Sequence, residues 1–440
     1  MSIVATRHRQ RAVAFYLPQF HPIPENDEWW GPGFTEWTNV VKARPRFAGH
    51  HQPHLPADLG FYDLRLADTR EAQATLARDH GVDGFCYYHF WFGGRRLLER
   101  PFEEVLHSGR PDFPFALCWA NENWTRRWDG SEATILLRQE YGQEDYVRHG
   151  RWLAQAFLDD RYIRVDGKPL FLVYRASLLE DPVRATRVWR DESRRAGVGE
   201  IFLCRVENFP KDRTDPTALG FDAAVEFAPD FQALGGLNSF LQRARGFAHR
   251  KVRPDGPPLD RIYHYDDVVR RMIAKPTPHY IRFPCVAPGW DNTARRERGA
   301  FILRGSTPER YGEWVRHAAR VAPVTASGDS LFFVNAWNEW AEGAHLEPCQ
   351  RWGRKYLEAH RDARLAIADQ VVGEDPLLSR TPEIRRAESS SGRSPSAWSS
   401  ASSVPSAGDS VSAGAVEAHR AAGQGSRNQR VVPAELDPTG

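Results

Sequence analysis

Leu331-Phe332-Phe333-Val334-Asn335-Ala336-Trp337-Asn338-Glu339-Trp340-Ala341-Glu342-Gly343 begins as a short apolar run and turns abruptly polar. The first half reads as a buried strand of a parallel sheet, and the second delivers Asn, Trp and two carboxylates at its C-terminal end. Parallel α/β enzymes assemble their sites at that end of their strands.

Upstream, seven more runs of this kind recur with amphipathic stretches between them. They are Ala12–Leu17, Gly84–Phe90, Phe113–Trp119, Leu170–Tyr174, Ile201–Val206, Ala223–Phe227 and Arg282–Ala287. The stretches Leu66–His80, Glu144–Leu158, Val183–Ala196, Tyr265–Ile273 and Pro308–Arg320 place apolar residues three and four apart, and Arg351–Val372 closes the series. Eight strands alternating with helices predict an α/β fold of the (β/α)8 barrel type. Long loops are expected at its C-terminal face, above all over Pro18–Asp63 and Asn121–Tyr141, with a further insertion over Pro229–Pro258.

The domain organisation expected is a short extension over residues 1–11, a barrel over 12–372 and a linker and tail over 373–440. Beyond Pro382 the chain is dominated by Ser, Ala, Gly and Pro. Such a composition cannot bury enough apolar surface to offset its ordering entropy, so disorder is expected there.

Bulk charge chooses no partner. The net charge is +2 with both signs interspersed, which points to neither nucleic acid nor a membrane surface. No stretch approaches the roughly 20 apolar residues of a bilayer span, and the first residues lack a secretory core, so no integral membrane segment and a cytoplasmic location are expected. The five cysteines are widely spaced with no CxxC pair, and they read as small core residues. His50-His51-Gln52-Pro53-His54 lacks the carboxylate partners of a metal motif and reads as a loop cluster. No metal or cofactor is called for, and nothing in the sequence specifies an oligomeric state.

Aromatic content is the distinguishing feature, with 15 Trp of which many adjoin Gly, Asn or Glu instead of sitting in apolar runs. Indole faces cover the C–H face of a sugar ring, while Asn and carboxylates bind its hydroxyls. Many aromatics must also fill a core of this size. The expected partner is therefore an oligosaccharide or polysaccharide substrate.

Cleavage of a glycosidic bond needs two carboxyl groups. Glu339 and Glu342 are the candidate catalytic pair, since residues three apart on a helical turn have Cβ atoms about 5–6 Å apart. That spacing suits a retaining mechanism, with carboxyl groups about 5–5.5 Å apart. A rival pair is Glu122 with Glu339, because Asn-Glu occurs at both 121–122 and 338–339. Candidate substrate-binding residues lie at the strand ends: Tyr16 on the first with Gln19, His21 and Trp37 after it, Tyr88 and His89 on the second, and Trp119 on the third with Asn121, Glu122 and Trp124 after it. Glu226, Trp290, Asn335, Asn338 and Trp340 complete the set.

Five ordered segments carry a resemblance. Tyr16-Leu17-Pro18-Gln19-Phe20-His21, Trp30-Gly31-Pro32-Gly33-Phe34-Thr35-Glu36-Trp37, Phe85-Cys86-Tyr87-Tyr88-His89, Cys118-Trp119-Ala120-Asn121-Glu122-Asn123-Trp124 and Asn338-Glu339-Trp340-Ala341-Glu342-Gly343 resemble the WbsX-like proteins of bacterial polysaccharide loci. That family is labelled glycosyltransferase in places and is similar to the endo-α-mannosidase glycoside hydrolases. The resemblance implies that Glu339 is the base for the substrate's own 2-hydroxyl and that Glu342 is the acid/base at the leaving oxygen, through a 1,2-anhydro sugar. The function expected is a retaining endo-glycosidase-like hydrolase or transglycosylase of surface-polysaccharide (O-antigen or capsule) metabolism. The alternatives are a glycosyltransferase of lipopolysaccharide or O-antigen biosynthesis and a non-catalytic glycan-binding barrel. Absence of an Asp-x-Asp motif weighs against a metal-dependent nucleotide-sugar transferase.

Overall fold

The computed structural model describes residues 9–125, 135–236 and 259–373. The expected disordered tail lies outside them, as do residues 126–134 and 237–258 of two expected long loops.

Eight parallel strands form the core: β1 (Arg9–Tyr16), β2 (Gly84–Phe92), β3 (Phe115–Trp119), β4 (Lys168–Val173), β5 (Phe202–Glu207), β6 (Ala223–Glu226), β7 (Arg282–Phe283 and Cys285–Val286) and β8 (Asp329–Val334). Each pairs with its sequence neighbour from β1 to β6, and β8 returns to pair with β1 at Val13↔Phe333. Closure runs through β7. Its first half pairs with β6 at Val225↔Phe283, and its second half with β8 at Cys285↔Phe333. Between the halves sits Pro284, which has no N–H for a ladder but whose carbonyl accepts from the N–H of Phe333 at 2.8 Å. The fold is a (β/α)8 barrel.

The strands form because their runs are apolar on both faces, as strands covered by a barrel interior and a helix layer must be. β1, β5 and β8 are buried nearly throughout. The helices α3 (Ala67–Asp79), α5 (Gln143–Phe157), α6 (Pro182–Arg195), α7 (Tyr265–Ile273) and α8 (Pro308–Val321) match the amphipathic stretches within two residues at each end. The closing helix is α9 (Lys355–Gly373).

The segment after β1 differs from expectation. It contains α1 (Pro24–Trp30) and α2 (Glu36–Lys42), each of seven residues. Pro24 opens α1 and Gly31, at φ 103°, ends it; a Thr35 capping box opens α2. Helices of two turns display too few positions for a periodic signal. α4 (Arg100–Ser108) also has no counterpart among the expected stretches.

All five cysteines are buried and free. Among the described residues no helix is long and apolar enough to cross a membrane.

Candidate active site

β8 ends at Val334, three residues before the end of the strand expected over Leu331–Trp337, and its continuation is held by neighbouring strands. The Asn335 N–H donates to Val286 O at 2.8 Å and the Trp337 N–H to Phe15 O at 2.8 Å. Asn338 then clamps the exit of β1. Its Oδ1 accepts from the Leu17 N–H at 2.7 Å, and its Nδ2 donates to Leu17 O at 3.0 Å. Glu339 leads into a 3-10 turn over Trp340–Glu342, which stops at Gly343 with φ 60°. A Cβ on Gly343 would lie 2.9 Å from both Cβ and N of Asp291, so only glycine fits this left-handed corner. The turn keeps both carboxylates on one cavity.

That cavity has a volume of about 240 Å³. Glu339 and Glu342 share its wall with Arg295, which neither pattern nor spacing had marked. The guanidinium holds three carboxylates: Nε to Glu36 at 2.7 Å, Nη2 to Glu339 at 2.9 Å and Nη1 to Glu342 at 2.7 Å. Glu36 is the first residue of α2 and fully buried. Arg295 follows a 3-10 turn over Asn292–Ala294, capped by Asp291, whose Oδ1 accepts from the Thr293 N–H at 3.0 Å.

Three carboxylates around one cation leave an excess of negative charge in a buried place. Burial pushes Glu339 up to about 8; Arg295 opposes the shift, and Glu342 and Glu36 add to it. Glu342 is raised as well, by burial first and against Arg295. Burial disfavours the charge on Arg295, but its three partners hold it firmly protonated. The pair titrates as a unit and carries a proton near neutrality. One protonated and one ionised carboxyl is what acid/base work on a glycosidic bond requires.

The opposite wall comes from β3 and its neighbours. Glu122 binds Arg175 Nη1 at 2.6 Å. Aromatic faces surround the space, among them Trp30, Tyr88, Trp124 and Tyr174. Asn26 of α1 also lines it, and its side-chain amide is fully buried with no hydrogen-bond partner among the described residues.

Of the residues expected at the site, the structure brings Gln19, Tyr88, Glu122, Trp124, Glu339 and Glu342 to this cavity. The others lie outside its lining, and most form the layer that supports it. Tyr16 is buried with its hydroxyl on Gln73 Oε1 at 2.7 Å. His21 is 2% exposed, and burial lowers it to about 4, so it stays neutral. Trp37 donates to Tyr62 O, Trp119 to Trp91 O and Trp340 to Glu347 Oε2, each a buried indole anchored inside the protein. His89 stacks on Trp152 with ring centroids 4.5 Å apart and meets His149 at 3.1 Å.

Asn121, Asn335 and Asn338 spend their amides on backbone groups of other strand ends instead of a ligand. Glu226 turns to Lys275 Nζ at 2.5 Å, away from the cavity. Trp290 lines a second cavity. For the three Asn residues the reason is that buried backbone groups at the strand ends need partners, and these amides supply them. Of the missed residues, Trp30 and Glu36 stood within a motif already singled out, whereas Asn26 and Arg295 carried no local signal.

The fold and the site together define a (β/α)8 barrel with an arginine-held carboxylate pair at the C-terminal ends of its strands. Residues 12–360 match the family described as Glycosyltransferase WbsX, and the chain belongs to that family. Two proteins described as "Uncharacterized protein WxcX", from two strains of Xanthomonas campestris pv. campestris, are 44% identical over 361 residues and 45% identical over 363. Each alignment covers 81% of this chain and 50% of the relative, so the chain spans about half the length of these curated relatives. Among solved structures, a glycoside hydrolase-like protein has a TM-score of 0.51 at 16% identity, covering 82% of this chain and 96% of that one. It shares the barrel fold. An endo-alpha-mannosidase from Bacteroides thetaiotaomicron has a TM-score of 0.49 at 13% identity, covering 82% of this chain and 98% of that one.

Proposed function

We propose that this protein is a carbohydrate-active enzyme of bacterial surface-polysaccharide metabolism, acting on a glycosidic bond as a retaining endo-glycosidase-like hydrolase or transglycosylase. The observation that carries the reading is the pair Glu339 and Glu342, three residues apart on one turn, held by one guanidinium and facing aromatic walls. Catalysis is assigned to residues 12–372.

In the first step Glu339 takes the proton of the sugar's 2-hydroxyl, O2 attacks C1, and Glu342 protonates the departing glycosidic oxygen. In the second, Glu342 takes a proton from water or an acceptor hydroxyl, which attacks C1 as O2 recovers its proton from Glu339. Configuration is retained over the two steps. The substrate-binding roles assigned are stacking by Tyr88 and Trp124, and hydrogen bonding by Gln19 and Glu122.

The family's description favours a second reading, transfer from an activated donor. Against a nucleotide-sugar donor, the guanidinium lining the cavity among the described residues is already surrounded by carboxylates, which repel a diphosphate. The test is a screen of purified protein against defined surface oligosaccharides, with product configuration followed by NMR. Retention is expected. Inversion, or calorimetric binding of a nucleotide sugar coupled to turnover, would overturn the leading reading.

A further inference from the structure

We propose that a second cavity, on the far side of the catalytic turn, binds a neutral sugar residue. Its volume is about 400 Å³, and it shares no lining residue with the acidic cavity. The two meet at consecutive residues, Glu342 lining the first and Gly343 the second. The inference rests on the reading that the protein acts on carbohydrate.

The walls join the histidine run of the β1 loop to aromatic side chains from other elements. His50 and His54 face a space also lined by Phe47, Trp290, His345 and Trp352. Histidines in such number suggest a metal, but no group of three or more His, Cys, Asp or Glu is placed to hold one among the described residues. Their hydrogen bonds explain a different use.

His50 Nδ1 accepts from the Arg46 N–H at 3.0 Å, so the ring proton sits on Nε2, which donates to Asp291 Oδ2 at 2.6 Å. His345 Nδ1 lies 3.0 Å from Glu347 O, an obligate acceptor, so this nitrogen donates and its Nε2 accepts. His54 Nδ1, 3.0 Å from that Nε2, therefore donates. What remains on His54 is an acceptor, Nε2. Burial lowers His54 to about 4 and His345 to about 3, so both rings are uncharged.

The neutral imidazoles of His54 and His345 have no electrostatic call on an anion, and the charged groups of the lining are mixed in sign, Arg304 and Arg351 beside Asp291 and Glu347. An uncharged acceptor beside indole and phenyl faces suits a ligand with hydroxyl donors and an apolar C–H face, which describes a pyranose. The wall is also the segment that carries Arg295. Asp291 accepts from His50, caps the turn ahead of Arg295 and donates its own N–H to Glu342 O at 2.5 Å. A sugar seated here would sit one residue from the catalytic turn.

The test is saturation-transfer NMR on the full chain with free mannose, glucose, galactose, rhamnose and N-acetylglucosamine. It compares wild type, Glu342→Gln, Trp352→Ala and His54→Ala, with circular dichroism to verify folding. For at least one sugar, contact should persist in Glu342→Gln and fall at least threefold in Trp352→Ala and His54→Ala. Contact unchanged in both cavity variants, contact with no sugar, or displacement by inorganic phosphate would overturn the inference. The first of these leaves the acidic site's assignment untouched. Conversely, turnover that survives Glu339→Gln and Glu342→Gln while Trp352-dependent contact persists would sink the proposed reaction and spare the second site.

Discussion

The dipeptide Asn-Glu occurs at two strand ends of this barrel, after β3 at Asn121-Glu122 and after β8 at Asn338-Glu339, and both copies do the same mechanical work. Asn121 accepts from the Arg175 N–H at 2.8 Å and donates to Arg175 O at 2.9 Å, joining the exits of β3 and β4. Asn338 does the same to Leu17, joining β8 to β1. Each Glu then reaches the cavity and meets an arginine. The surroundings differ. The Glu122 side chain is 30% exposed and binds Arg175, whereas that of Glu339 is 7% exposed and shares Arg295 with two other carboxylates. Identical local chemistry thus becomes a solvated ion pair in one place and a proton-holding pair in the other. The count of carboxylates per cation decides, together with burial.

The largest effect that would break this comparison is catalytic. Glu339→Gln and Glu342→Gln should each lower kcat by about 10²–10⁴-fold, the usual worth of a positioned acid or base. Glu122→Gln should act mainly on KM, because Glu122 lies on the opposite wall and the other carboxylate near its arginine, Asp212 at 3.8 Å from Arg175 Nε, lies outside the cavity lining. Steady-state kinetics on a proven oligosaccharide decides, and an equal loss of kcat in all three would make Glu122 part of the catalytic pair.

The clamps should differ in stability by a smaller margin. Asn338→Ala leaves the N–H and C=O of buried Leu17 without partners and should cost about 3 kcal/mol. Asn121→Ala exposes the same groups of half-buried Arg175, where water can replace the amide, and should cost about 1–2 kcal/mol. Urea unfolding measures both, and a reversed order would refute the clamp reading.

The subtlest effect is on pH dependence. The pair loses its shared proton as pH rises through about 8, and because the proposed reaction needs that proton on Glu342 with Glu339 ionised, kcat should fall on the alkaline side. Arg295 lowers both carboxylates. Its replacement by Gln therefore raises them, and the alkaline limb should move to higher pH. A limb that stays or moves down would show that the pair's proton is not controlled by Arg295.

Much of the barrel was legible because a strand buried on both faces and a helix buried on one leave opposite signatures in the order of apolar residues. The eight expected runs overlap the eight strands, down to β7 with its internal Pro284. α1 and α2 escaped because seven residues hold too little pattern. At the site, Glu339 and Glu342 were legible as a pair because both lie in one turn. Trp119, Trp340, Asn121 and Asn338, expected as ligands, lie at or just beyond strand ends but outside the cavity lining. Their donors are satisfied by Trp91 O, Glu347, Arg175 O and Leu17 O.

The sequence alone determined the alternation of strand and helix, the face on which polar residues collect and the turn that sets two carboxylates three residues apart, since each depends only on neighbours along the chain. The tertiary structure decided which polar groups reach the cavity. It decided the clamp of Arg295 on Glu36, Glu339 and Glu342, whose members lie 259 and 44 residues apart for the first two. It also decided that the histidine run and Trp290 line a second space. Charge and hydrogen bonding act through distance in space, and no local pattern encodes which distant strand end will supply the partner.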